Sequence, residues 1–116
     1  MSAETNCLFC KIAAGVIPAD IIAENEVALA FRDIDPKAPT HALVIPKIHF
    51  ADVDELTASN PDLAGKLLAL ASEVARLEGL GTGYRVVTNI GEDAGQSVAH
   101  VHFHVLGGRS LTWPPG

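Results

Sequence analysis

The chain reads as an α+β domain, a five-stranded antiparallel sheet with one long and one short helix, and three features predict it. Short apolar runs recur with strand-like alternation, a single segment between Leu63 and Leu77 carries its apolar residues at helical spacing, and several connections have hairpin length. Taken in order, Cys7 to Ala14 is expected as a short helix closed by Gly15, and Ile17-Pro18 leads into an extended stretch from about Ile21 to Glu24. Glu26 to Phe31 is expected as a second strand, ended by the turn-rich run Asp33-Ile34-Asp35-Pro36-Lys37-Ala38-Pro39. His41 to Ile45 forms a third, stopped by Pro46. Asn60-Pro61 has the cap-then-proline form of a helix start, and Leu63, Leu67, Leu70, Val74 and Leu77 make a core-facing stripe up to Gly79. Two further strands, Tyr84 to Asn89 and Ala99 to Leu106, flank the polar loop from Gly91 to Ser97. The helices are expected on one side of the sheet.

Composition narrows the function classes. The 116 residues suit one domain spanning 1–116, and no repeat or composition break marks a linker. A net charge of −6 without a Lys/Arg cluster argues against nucleic acid as a partner. Apolar stretches such as Leu67 to Ala71 are far too short to span a membrane, and the N-terminus lacks a basic region followed by an apolar one, so a cytoplasmic protein is expected. The two cysteines, Cys7 and Cys10, stand as C-x-x-C, which in a cytosolic chain suggests metal or redox chemistry above a structural disulfide. A redox pair would be expected beside a βαβ pattern, and none surrounds this one.

The most informative segment is Ala99-His100-Val101-His102-Phe103-His104-Val105-Leu106. On a strand, His100, His102 and His104 share one face while Val101, Phe103 and Val105 share the other, so an apolar face fastens the segment and an imidazole face is left for chemistry. Alternate histidines lie roughly 6.6 Å apart and the outer two about 13 Å, a spacing that disfavours one zinc held by all three and favours a division of labour. A neutral imidazole is a nucleophile towards phosphorus near neutral pH, and a neighbouring donor can stabilise charge on the phosphoryl oxygens. Gly91 and Gly95 let the backbone approach an anion, and the Ser97 hydroxyl can donate to it.

The run from Gly95 to Arg109 followed by Trp113-Pro114-Pro115-Gly116 closely resembles the histidine triad (HIT) family, whose pattern is His-φ-His-φ-His-φ-φ with φ apolar. Phe31-Arg32-Asp33-Ile34 and Ala38 to Lys47 extend the likeness over nearly the whole chain, which is most similar to the histidine triad nucleotide-binding branch, the purine nucleoside phosphoramidases. The resemblance implies His102 as the nucleophile that accepts a nucleoside monophosphate, His104 at the phosphoryl oxygens, Ser97 near phosphate and leaving group, and His41 positioning the triad, with His100 its first member. It implies Asn89 and the Gly95 backbone at the phosphate and ribose end, Asp33 on the ribose hydroxyls, and Leu8, Phe9, Phe31 and Ile34 around the purine. It further implies a homodimer with a continuous ten-stranded sheet, the tail 107–116 contributing to the dimer and Trp113 reaching the other subunit's site. The expected activity is hydrolysis of a phosphorus–nitrogen bond in a purine nucleoside 5′-phosphoramidate, with no cofactor required. The alternatives are a dinucleoside polyphosphate hydrolase or nucleotidyl transferase, or a non-catalytic nucleotide- or zinc-binding regulatory protein.

Cys7, Cys10, His49 and His100 together supply two sulfur and two nitrogen ligands, the donor set of a closed structural zinc site, and related nucleotidyl transferases of the superfamily use a similar arrangement. The competing reading is two buried reduced thiols at a helix start.

Overall fold

The computed structural model describes residues 6–116, so residues 1–5 of the expected 1–116 domain lie outside it. The elements run α1 (Leu8–Ala13), β1 (Ile21–Glu24), β2 (Ala28–Arg32), β3 (Thr40–Pro46), α2 (Val53–Ser59), α3 (Pro61–Leu77), β4 (Tyr84–Val87) and β5 (Phe103–Gly107). One five-stranded sheet of order β1-β2-β3-β5-β4 contains all the strands, every neighbouring pair antiparallel.

Two apolar layers sandwich the central strands. On one face Ala28, Ala30, Ala42, Val44, Val101, Phe103 and Val105 pack with Leu63, Leu67, Leu70, Ala71 and Val74 of α3. Small alanines on β2 and β3 let the helix come close. On the other face Leu29, Phe31, Leu43 and Ile45 pack with Phe9 and Ile12 of α1. The helices therefore flank the sheet on both sides, which corrects the one-sided expectation: β2 and β3 alternate apolar residues with other apolar residues, and strands of that kind need cover on each face. That second, thinner layer is where the histidines lie.

Helix α3 starts as its sequence predicts, the Asn60 side chain accepting from the Leu63 N–H at 3.2 Å with Pro61 in the first turn. Leu77 is 58% exposed, contrary to its place in the expected stripe. Buried Ala71 and Ala75 swing the centre of the apolar face away from it. Helix α2 adds a second short helix. Its signal is the capping arrangement Asp52-Val53-Asp54-Glu55: the Asp52 carboxylate accepts from the Glu55 N–H at 2.9 Å, and the Glu55 side chain accepts from the Ala51 N–H at 3.2 Å.

The last strand begins at Phe103, four residues later than its expected start at Ala99, and β4 ends at Val87 instead of Asn89. The register pairs Val44 with Phe103, so the next positions would bring β5 against Pro46, which has no N–H to offer a ladder. The Val101 N–H goes instead to the Phe50 carbonyl at 2.7 Å. His100 and His102 thus precede the strand. The alternation nonetheless persists through them, Val101 lying in the α3-side core while the His102 ring meets Phe9 on the α1 side.

Among the described residues no helix is long and apolar enough to cross a membrane. The α3 layer is the larger core, and Leu67 at its centre is fully buried. Replacing Leu67 by Ala is expected to cost about 2–5 kcal/mol of unfolding free energy, read as a lower urea midpoint at unchanged slope.

Candidate functional site

The site is built from the ends of β2, β3 and β5 and from α1. His102 and His104 follow one another along one face in an edge-to-face arrangement, their ring centroids 5.1 Å apart, and Phe9 from α1 meets His102 edge-on at 5.1 Å. His41 on β3 reaches across to His104.

Hydrogen-bond partners fix the state of each ring. The His102 Nδ1 lies 2.8 Å from the His100 carbonyl oxygen, which only accepts, so Nδ1 carries the proton and Nε2 keeps its lone pair. The Lys37 backbone N–H donates to His41 Nδ1 at 3.0 Å. A neutral His41 must then hold its proton on Nε2, which lies 2.9 Å from His104 Nδ1 and 3.4 Å from an Asp33 carboxylate oxygen. His104 Nδ1 accepts, and its own proton sits on Nε2. The chain Lys37 to His41 to His104 thereby presents an N–H donor beside the lone pair of His102. Burial keeps all these rings neutral: it lowers the pKa of His102 and His41 below the usual imidazole range and pushes His104 down to about 4, with His102 and His41 adding to the last shift. A nucleophilic nitrogen next to an uncharged donor can attack an electrophilic centre while hydrogen-bonding an oxygen attached to it.

These rings open onto a cleft of about 580 Å³. Among the sequence-predicted residues, Leu8, Phe9, Phe31, Asp33, Ile34, Ser97, His102 and His104 line it. Asp33 and Ser97 share the lining with the two histidines, and Ile12, Ile17, Pro18 and Ala19 add apolar surface to it. Sequence reasoning missed those four, as well as Asp20, Arg32, Leu43 and Val98. Leu43 was available from alternation, since it shares a strand face with His41. Thr88, also missed, holds the backbone ahead of the strand by donating its hydroxyl to the His102 carbonyl at 2.8 Å. The loop bearing Ser97 is braced by Gln96, whose side chain accepts from the Gly91 N–H and donates to the Ala51 and Val98 carbonyls.

His41 lies behind the cleft wall, and Asn89, Gly95, His100 and Trp113 are outside the lining. Gly95 takes a positive φ of 79° and its N–H is given to the Glu92 carbonyl, so its backbone donor is spent within the turn. Trp113 is 82% exposed in the tail.

His100 belongs to a second cluster. It is fully buried, and its Nε2 donates to the Pro46 carbonyl at 2.9 Å, leaving the Nδ1 lone pair to face Cys7 Sγ at 3.2 Å and Cys10 Sγ at 3.4 Å. His49 Nδ1 lies 3.3 Å from Cys10 Sγ, and the four ligand atoms all fall within 4.8 Å of one another. A tetrahedral zinc site with sulfur and nitrogen ligands needs S···N separations of roughly 3.5 Å, so the donor set and its spacing fit a zinc ion. Both nitrogens of His100 are thus engaged away from the cleft, and its carbonyl is what meets the His102 ring.

The HIT domain family model matches residues 14–111, and the chain belongs to this family. It is 52% identical over 116 residues to an uncharacterized HIT-like protein of Synechococcus elongatus, covering 100% of both chains. It is also 47% identical over 115 residues to a 14 kDa zinc-binding protein of Zea mays, covering 97% of this chain and 90% of the relative. The crystal structure of a HIT family hydrolase from Legionella pneumophila superposes with a TM-score of 0.91 at 51% identity, over 96% of this chain and 100% of the other. A histidine triad protein from Clostridium difficile superposes at 0.92 with 38% identity, over 96% and 97%. The five-stranded fold is that of these structures.

The neutral state of His104 has a pH signature. The unfolded chain takes up a proton near 6.5 and the folded one only near 4, so the contribution is whole above about pH 6.5 and is lost as pH falls towards 4. The loss amounts to roughly 3 kcal/mol at most. Urea midpoints of the parent are expected to fall more steeply across that window than those of His104→Gln, and parallel curves would refute it.

Proposed function

We propose that the protein is a cytoplasmic hydrolase that cleaves the phosphorus–nitrogen bond of purine nucleoside 5′-phosphoramidates through a nucleotidyl-histidine intermediate. The observation that carries the reading is that His102, with its Nε2 lone pair free, and His104, with its proton on Nε2, are neighbours in the lining of one cleft that also holds Asp33, Ser97 and a majority of apolar residues. Apolar lining residues including Phe9, Phe31 and Ile34 suit a purine, and Asp33 can accept from two vicinal ribose hydroxyls.

In this reaction His102 Nε2 attacks phosphorus as the phosphorus–nitrogen bond breaks. The amine leaves with a proton delivered through His104 Nε2 or the Ser97 hydroxyl, and positive charge on the His102 ring is held by the His100 carbonyl on Nδ1. Water then attacks phosphorus and releases the nucleoside monophosphate, returning the lone pair to Nε2 and a proton to the donor. None of these steps is routed through a metal. Cys7, Cys10, His49 and His100 would hold a zinc ion that cross-links α1 to the sheet.

Dinucleoside polyphosphate hydrolysis or nucleotidyl transfer through the same histidine would need room for a second nucleotide beyond Ser97. Turnover of an adenosine phosphoramidate is expected to exceed that of a dinucleoside polyphosphate. His102→Ala should lose turnover by orders of magnitude while still binding AMP, and acid-quenched mixtures of the parent should contain an adenylylated peptide bearing His102. Undiminished turnover in the variant would sink the assignment. AMP binding without any phosphoramidate turnover would favour the regulatory alternative.

The proposed unit is one HIT domain whose tail, 107–116, serves a homodimer. β4 is an edge strand, Tyr84 and Val86 on it are exposed, and the Tyr84 hydroxyl reaches Ser72 of α3, one turn from exposed Leu68. A groove of about 590 Å³ between β4 and the tail, lined by Tyr84, Arg85, Arg109 and Leu111, adds to this face. Pairing β4 with its copy would complete a ten-stranded sheet and place an exposed Trp113 near the partner's cleft. Sedimentation should give a dimer mass for the parent and a monomer mass for Val86→Glu.

A further inference from the structure

Helix α1 serves two clusters at once. Cys7 at its N-cap and Cys10 in its first turn bring sulfur to His100 and His49, with Cys7 Sγ also accepting from the Cys10 N–H at 3.3 Å. Leu8, Phe9 and Ile12 of the same helix line the nucleotide cleft, and Phe9 stands edge-on to His102. Six residues are too few for a helix to persist by its own hydrogen bonds, so its position depends on what it docks against. That docking consists of the Phe9 and Ile12 packing and the thiol–imidazole contacts. Thiols make weak hydrogen bonds, whereas ligation of both cysteines to one ion would clamp the helix firmly.

A second connection runs through His100. Its ring faces the two sulfurs while its carbonyl orients the nucleophile, so whatever fixes the ring also fixes the acceptor on His102 Nδ1. A third lies in the shared walls. An opening of about 320 Å³ leads to Cys7 and His49, and Leu8, Ser97 and Val98 border both this opening and the nucleotide cleft. Cys7 is half-buried, so an ion has a route from solvent that stays clear of the histidines in the cleft.

We infer that zinc at Cys7, Cys10, His49 and His100 and a nucleotide in the cleft are linked ligands, each raising the affinity for the other. Both require the docked α1 and the ordered segment from Ser97 to His102, and a protein that has already ordered these for one ligand binds the second without that cost. The linkage rests on the reading that the cleft takes a nucleoside 5′-monophosphate. It is reciprocal by thermodynamic necessity: the factor by which zinc tightens AMP equals the factor by which AMP tightens zinc.

Calorimetric titration of AMP into chelator-stripped and zinc-loaded protein tests this directly. The expected result is AMP binding about 5- to 150-fold tighter with zinc, matched by the same factor in zinc affinity, measured by competition with a chelator, with and without saturating AMP. Hydrogen exchange should also slow in Leu8–Ala13 on adding zinc alone. Cys7→Ser, at the more accessible ligand, should remove the zinc dependence, its AMP affinity being the same with and without zinc. His49→Gln provides the same comparison from a different element. Equal AMP affinity with and without zinc, or failure of zinc to bind, overturns the linkage while leaving the nucleotide reading intact. Absence of AMP binding in both states overturns that reading and the linkage with it.

Discussion

The hydrogen bond from His102 Nδ1–H to the carbonyl of His100 is the constraint on which the site is arranged. It selects the tautomer that leaves a lone pair on Nε2, and it can be made only if the backbone at His100 departs from sheet pairing, since a carbonyl engaged in a ladder would face a neighbouring strand. Pro46 ends the ladder at that point, the Phe50 carbonyl takes the Val101 N–H, and the Thr88 hydroxyl takes the next exposed acceptor, the His102 carbonyl. The late start of β5 is therefore part of the chemistry. A regular strand from Ala99 would have kept the imidazole row and lost the acceptor.

The same economy applies to the second imidazole. His104 owes its donor to a polarity set two residues away in space, at the Lys37 N–H, which is oriented by the turn after Asp33. In that turn the Asp33 carboxylate accepts from the Asp35 N–H at 2.8 Å while its other oxygen lies beside His41. A run that reads as simple turn punctuation thus sets the protonation pattern of the cleft. Neutral rings at close range cost less to bury than imidazolium ions would, and the lowered pKa values of His41, His102 and His104 express that preference.

Much of this was legible in the residues. The period-two row of histidines with Val101, Phe103 and Val105 opposite, the long capped helix, and the C-x-x-C itself follow from local pattern, whereas His49 and His100 as the nitrogen partners of the two cysteines came with the family resemblance; each has a counterpart in the structure. What local pattern could not supply is anything decided by a partner distant in sequence. The position of α1 on the face opposite α3 depends on which side of β2 and β3 each helix covers, and both sides are apolar. The start of β5 depends on a proline in β3, some 57 positions earlier by the separation of Pro46 and Phe103. The division of His100 from its neighbours depends on two cysteines at the other end of the chain. The short helix α2 differs: its capping residues Asp52 and Glu55 were in plain view, and only the weakness of its apolar pattern, with Leu56 its one buried residue, hid it.

Charge in the cleft bears on how the proposed reaction ends. The described residues lining it include one cation, Arg32, whose guanidinium is taken by Glu78 and Asp20, and two carboxylates, Asp20 and Asp33. A phosphoramidate carries one negative charge on its phosphoryl group. The nucleoside monophosphate product, with a second ionisation near pH 6, carries close to two at neutral pH. Uncharged imidazole donors can stabilise charge spreading over the oxygens in the transition state without holding a dianion strongly afterwards. A lysine or a permanent imidazolium in the place of His104 would bind the product more tightly than the substrate, and release would limit turnover. The burial that keeps these histidines neutral would therefore serve both ends of the proposed cycle: it would preserve the lone pair for attack and let the more highly charged product go.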